Sequence, residues 1–269
     1  MISDVLTWLS CPHCATALSA GPAGTPLRCA EGHAFDLARQ GYLSLLAGPG
    51  AAGTADTPAM VADRAEFLAA GHYAPLADLL AELAAAADRD VDGDDTCIID
   101  LGAGTGYYLA RVLESVDRPG IALDVSKHAA RYAAKAHPRI GAVVADVWAG
   151  LPVRGRAASV VLNVFAPRNP QQMRRVLHPA GRAIVVVPEA EHLKELIAQY
   201  GLLGVDDRKP ERLRAQFADR FQVVGEHPVR RSLSLSASEV AQVIGMGPNA
   251  WHADVGRVVS GAEVTFAVR

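Results

Sequence analysis

The sequence predicts an α/β chain: a doubly wound, mostly parallel sheet preceded by a small segment organised by cysteine and histidine. Three observations carry this. From about residue 96 onward, short apolar runs alternate with helical patterns, as βαβ units do. A glycine-rich turn, DLGAGTG, joins one of these runs to a helix. Three of the four cysteines fall within residues 11–29, ahead of the alternating region.

Element by element, residues 1–46 form the cysteine/histidine segment, and residues 47–58 (AGPGAAGTADTP) have the composition of a linker. Residues 59–269 form the larger domain. A helix is expected from Ala59, with Thr57 as N-cap and Pro58 at the first helical position. Gly71 ends it, and residues 74–87 make a second helix rich in Ala and Leu. Residues 96–101 (TCIIDL) are a buried strand, 107–116 a helix, 121–125 a strand, and 126–137 a helix capped by Ser126. Strands follow over 140–146, 158–164 and 181–187, with a helix over 170–177 between the last two. A helix over 193–200, the run FQVVGE, a helix over 236–244 and the terminal EVTFAV complete the chain. The last run is expected to close the sheet as an antiparallel strand.

The totals set limits. The 269 residues are 50% hydrophobic, enough for at least one sizeable core. A net charge of -3 means that any nucleic-acid contact must come from local charge. No apolar run approaches the roughly 20 residues of a membrane helix. The segment MISDVLTWLSC lacks the basic region and cleavage site of a signal peptide, so the expected compartment is the cytoplasm. There, closely spaced cysteines favour metal over disulfides.

Cys11, Cys14, Cys29 and His33 stand as CPHC, fourteen residues, then CAEGH, a Cys3His ligand set for structural zinc. His13, inside the first pair, is the rival fourth ligand. In so small a segment zinc would be required for folding. Cys97 lies in a buried strand and is a small core residue.

The glycine turn follows a strand and opens a helix, where backbone can approach a ligand and unpaired N–H groups point outward. Its spacing is GxGxG after an acid, not the GxGxxG of dinucleotide sites, and it lacks the GK[ST] of a phosphate loop. Asp124, eighteen residues past Gly106, and Asp146 end the next two strands. Over residues 96–188 this resembles the class I S-adenosylmethionine (AdoMet) methyltransferases, with their Rossmann-like, seven-stranded sheet and antiparallel last strand. The competing reading is a nicotinamide-dinucleotide domain using the same loop. The resemblance implies that Asp100 holds the methionine end, that Gly102, Gly104 and Gly106 pass beneath the ligand, and that Asp124 holds ribose. It implies further that Asp146 reads adenine with Val147 beside the ring, and that Tyr107 lines the methionine pocket.

The order CPHC…CAEGHAFDLARQGYLSLL, DRAEFLAAGHYAPL, DLGAGTGYY, LDVSK, NVFAPRNP, GMGPNAWH resembles the bacterial 23S rRNA (guanine-N1)-methyltransferases of RlmA type. NVFAPRNP and ARQGY resemble most the branch of macrolide resistance in tylosin producers, which implies hairpin 35 of 23S rRNA, near the peptide exit tunnel, as substrate. A homodimer is implied by the resemblance alone. So is the placing of Tyr73 and His192 near the cofactor.

Guanine N1 carries a proton that must leave, so a base, a water or stabilisation of charge at O6 must assist. Asn163, ending a strand, could orient the base and Phe165 could stack on it. NVFAP departs from the [DN]PP[FY] motif of amino-methyltransferases, which argues against transfer to an exocyclic amine. Between residues 147 and 188 there is no Asp or Glu but there are six arginines: Arg154, Arg156, Arg168, Arg174, Arg175 and Arg182. They suit RNA phosphates and splayed bases. The alternatives are a small-molecule methyltransferase on the same scaffold and a catalytically silent AdoMet- or RNA-binding module.

Overall fold

The computed structural model describes residues 1–21, 26–46, 55–206, 208–251, 256 and 258–269. Most of the expected linker, residues 47–54, lies outside them, as does His252 at the end of GMGPNAWH. Contacts divide the chain into two compact units, Met1–Ala55 with Ala77–Val185 and Asp56–Leu76 with Val186–Arg269. Their composition differs from the linear division into residues 1–46, 47–58 and 59–269, because the first 55 residues cluster with the main sheet.

The first unit opens with α1 (Ile2–Val5) and a 3-10 turn over Leu6–Trp8. Three short strands follow, β1 (Leu18–Ala20), β2 (Leu27–Cys29) and β3 (Ala34–Phe35), paired antiparallel in the order β1-β2-β3. Next comes β4 (Tyr42–Ser44). After α2 (Pro58–Ala69), which belongs to the second unit, α3 (Ala74–Asp88) leads to β5 (Cys97–Leu101), α4 (Tyr107–Ser115), β6 (Gly120–Asp124) and α5 (Lys127–Ala136). Then follow β7 (Ile140–Val144), β8 (Ala158–Val164), α6 (Pro170–Val176) and β9 (Leu177–Val186). The main sheet has six strands in the order β4-β7-β6-β5-β8-β9. All residues of β5, β7 and β8 are buried, as central parallel strands covered on both faces must be.

The local chemistry explains these elements. The Thr57 side chain accepts from the Met60 amide at 3.2 Å with Pro58 inside the first turn of α2, and Asn169 caps α6 in the same way ahead of Pro170. Ser126 caps α5. Gly71, with φ of 84°, follows the end of α2, where a β-carbon would be strained. The strand β9 starts four residues before the expected Gly181, directly from the end of α6.

One strand of the sheet was not expected. β4, from the cysteine/histidine segment, lies parallel to β7 at the sheet edge with Tyr42, Leu43 and Ser44 opposite Ala142, Val143 and Val144. The Leu45 amide continues the ladder to the Val144 carbonyl. The same segment is stitched on elsewhere: Leu9 bridges Val153, the Arg154 amide donates to the Trp8 carbonyl, and Val5 packs so tightly on Gly141 that a β-carbon there would overlap it.

The second unit holds α2, α7 (Lys194–Tyr200), α8 (Lys209–Phe217), β10 (Val229–Leu235), α9 (Ala237–Gly245) and β11 (Ala262–Val268). FQVVGE forms no regular element, and the terminal strand pairs instead with β10 over its whole length, Val229 opposite Val268. This antiparallel pair is a two-stranded sheet of its own, not a seventh member of the main sheet, although Val187 and Arg269 exchange backbone hydrogen bonds. The carboxylate of Glu195 on α7 accepts from both the amide and the hydroxyl of Thr265 on β11. His72 pairs with Glu239 at 2.7 Å, and Glu239 also completes a capping box with Ser236.

Candidate functional site

Two facing knuckles build the cysteine/histidine cluster. In the first, the Ala15 amide returns to the Cys11 carbonyl and Ala15 takes a φ of 60°. In the second, the Gly32 amide returns to the Cys29 carbonyl with a φ of 82°. The ligand atoms of Cys11, Cys14, Cys29 and His33 all lie within 4.8 Å of one another. Cys29 Sγ is 3.3 Å from His33 Nδ1 and Cys11 Sγ is 3.6 Å from it; Cys14 and Cys29 Sγ are 3.6 Å apart. A tetrahedral zinc with sulfur at about 2.3 Å sets neighbouring ligand atoms roughly 3.5–3.8 Å apart, so the cluster fits that ion. His13 is not in the cluster; its ring packs against His33 and Phe35. The Thr16 hydroxyl, 3.1 Å from Cys14 Sγ, holds that thiol below its usual range. Cys97 is fully buried in β5, as a core residue should be.

The glycine turn lies at the crevice where the sheet changes direction. From β5 the chain winds outward through β6 and β7, then returns to place β8 on the other side of β5. Ligands of open α/β sheets bind at such a point, beyond the carboxyl ends of the strands. Gly102, Gly104 and Gly106 have φ of 72°, 54° and 80°, and Gly106 caps α4. A β-carbon on Gly102 would overlap Ala166, and one on Gly106 would press on Ala133 of α5. The turn is held by the amides of Gly102 and Ala103 on the Leu123 carbonyl, and by the Gly104 amide on Asp124 Oδ2.

Asp100, the penultimate residue of β5, is in an unusual state. It is 1% exposed, and neither carboxylate oxygen has a hydrogen-bond partner among the described residues. Burial, helped by the Asp124 charge, pushes its pKa up to about 7. Two unsatisfied buried oxygens are a standing penalty that a cationic ligand would relieve. Asp124 uses one oxygen on Gly104 and the other on the Ser126 amide. Asp146 accepts from the Trp148 amide, Val147 is half-buried, and Trp148 is 61% exposed. The Tyr107 ring meets Tyr108 edge-on at 5.1 Å at the start of α4.

On the β8 side, Asn163 is fully buried. Its amide nitrogen donates to the carbonyls of Leu101 and Pro167, so it bridges β5 and the loop after β8, while its oxygen has no partner among the described residues. Phe165 is 38% exposed and adopts a φ of 54°, a strained conformation for an aromatic residue. The structure thus brings Asp100, the three glycines, Tyr107, Asp124, Asp146, Val147, Asn163 and Phe165 to the carboxyl ends of four adjacent strands. Tyr73 and His192 belong to the other unit, where both rings pack on Phe266, at 4.4 and 5.2 Å.

The arginines divide into two sets. Arg154 pairs with Asp95, Arg182 with Asp90, and Arg175 donates to the carbonyls of Val153 and Leu151. These three serve the fold. Arg156 and Arg174 are exposed. Arg168 is half-buried and donates to the carbonyl of Ala166 in its own loop. The tie between Asn169 and the Val147 carbonyl, which joins the two loops, had no signal in sequence beyond the NP of a helix start.

The zinc ribbon family described as RlmA, N-terminal matches residues 9–48. A Streptomyces fradiae protein named 23S rRNA (guanine(748)-N(1))-methyltransferase is 49% identical over 94% of this chain and 89% of its own. A provisionally named 23S rRNA (guanine-N(1)-)-methyltransferase of Micromonospora griseorubida is 46% identical over 97% of this chain and 92% of its own. A similarly named protein of Bacillus subtilis is 32% identical over 92% and 88%.

Proposed function

The chain belongs to the 23S rRNA (guanine-N1)-methyltransferase family, and we propose that it methylates N1 of a guanosine in hairpin 35 of 23S rRNA, in the cytoplasm, using AdoMet. The observation that carries the cofactor assignment is Asp100: a buried carboxylate with two unpartnered oxygens at the sheet's switch point wants a cation, and the ammonium of a methionine moiety is one. AdoMet, when bound, supplies a methyl group on a sulfonium. Gly102, Gly104 and Gly106 keep the floor of the pocket free of side chains, and Tyr107 walls the methionine end. Asp124 receives the ribose hydroxyls, and Asp146 with Val147 receives the adenine. Asn163 offers its unpartnered oxygen to a donor on the guanine edge, and Phe165 stacks on the base, which leaves its own stack to enter.

Cys11, Cys14, Cys29 and His33 hold zinc in a structural module spanning residues 1–46, joined through residues 47–58 to the methyltransferase domain of residues 59–269. The module serves RNA recognition. The resemblance to the tylosin-producer branch supports macrolide resistance as the biological role and a homodimer as the assembly. Incubating the protein with tritiated AdoMet and protein-free 23S rRNA, then mapping primer-extension stops, tests the reading. A stop at a hairpin-35 guanosine is expected. Label entering only small metabolites would overturn it.

A further inference from the structure

The loop after β8 carries a charge that the fold does not use. Arg168 is half-buried, and among the described residues no carboxylate pairs with it. A hydrogen bond of 3.1 Å to the Ala166 carbonyl folds the guanidinium back over its own loop. That loop is fixed at the crevice twice: Ala166 abuts Gly102, and the Pro167 carbonyl accepts from Asn163. Burial also lowers the pKa of Arg168, a sign that its surroundings disfavour the charge they hold. Arg175 is desolvated too, but it satisfies two backbone carbonyls and Gln172. A desolvated, unpaired cation beside the glycine turn awaits an anion or a developing negative charge.

We propose that Arg168 is a catalytic residue of the transfer, donating to O6 of the target guanine and stabilising the negative charge that reaches O6 as N1 gives up its proton. The inference rests on the guanine-N1 reading above. The N1–H proton passes to water, the N1 electron pair forms the bond to the methyl carbon, and the carbon–sulfur pair stays on sulfur as the thioether leaves. No side chain in the crevice needs to be a strong base, because O6 stabilisation makes N1 acidic enough for water to accept its proton.

Single-turnover transfer to protein-free 23S rRNA by the full-length zinc-loaded enzyme tests this, from neutral to alkaline pH, beside equilibrium binding of AdoMet. Arg168→Ala should bind AdoMet as the wild type does and be slower by about 10²–10³-fold at neutral pH. The deficit should shrink as the pH approaches the range where guanine ionises unaided, and Arg168→Lys should recover part of the rate. A deficit constant with pH overturns the proposal. A loss of AdoMet affinity would assign the arginine to the methionine carboxylate instead. A raised KM for RNA with unchanged kcat and a weaker salt dependence would assign it to a phosphate. If the wild type leaves guanine N1 unmethylated, the underlying reading falls, independently of the variants.

Discussion

With both oxygens buried and unpartnered, Asp100 keeps its proton up to about pH 7, whereas the ordinary value is 3.8. Between those values the unfolded chain has lost a proton that the folded chain retains, so this residue's contribution disfavours folding increasingly as pH rises from about 4 to about 7. Asp100→Asn should therefore raise the Tm of the ligand-free protein at pH 8 and abolish the further rise that AdoMet gives. In the wild type a cationic ligand must displace the proton below pH 7. The Kd for AdoMet should increase about tenfold per unit as pH falls below 7, with proton release seen by calorimetry in buffers of different ionisation heat. Gly102 is the second residue-scale test. Its φ of 72° and the contact with Ala166 make Gly102→Ala costly by about 1–3 kcal/mol in denaturant unfolding. At this scale the sequence was informative where chemistry repeats in a motif, as at CPHC, CAEGH and DLGAGTG. It showed Arg168 only as one of six cations, because whether an arginine has an acidic partner depends on which distant carboxylates the fold brings near. The same reason split the six arginines, which the sequence presented as one basic stretch, into fold-serving and unpaired ones.

Among the elements, β4 joins the zinc cluster to the nucleotide crevice. It is the edge strand beside β7, and β7 leads directly into Asp146 and Val147. Chelating the zinc should therefore speed hydrogen exchange at the amides of residues 42–45 as well as around the cysteines, and should lower the Tm. Loss of protection confined to residues 9–35 would show that the strand stands without the metal. The caps at Thr57 and Ser126 were legible because each stands one residue before its helix; the Asn169 cap of α6 emerged only in the structure. The edge strand was not. A three-residue run such as YLS carries too little periodicity, and its partner lies far along the chain, where no local pattern points to it. The terminal pairing was half legible: EVTFAV reads as a strand, but its partner is β10, which reaches it only across α9, and not the apolar run FQVVGE.

For the molecule as a whole, charge distribution decides how a chain of net charge -3 meets RNA. Arg156 and Arg174, exposed on the same unit as the crevice, are two cations to test. Replacing each with alanine should weaken RNA binding at every sequence and reduce the salt slope by about one unit, with AdoMet affinity unchanged. Arg175→Ala should instead lower the Tm, since it strips the donors from the carbonyls of Leu151 and Val153. The doubly wound parallel sheet was foreseeable from the alternation of strands and helices. The membership of residues 1–55 in that sheet was not. That membership bears on synthesis. Ser44 and Val144, opposite each other in the ladder, are a hundred residues apart in the chain. At translation rates of about 5–20 residues per second, the first strand waits some 5–20 s for its neighbour to leave the ribosome. During that interval its backbone groups are open to any other nascent strand. Zinc capture, which needs only residues already emerged, is the step that can tether the waiting segment, so a zinc-starved cell should yield this protein mainly as aggregate.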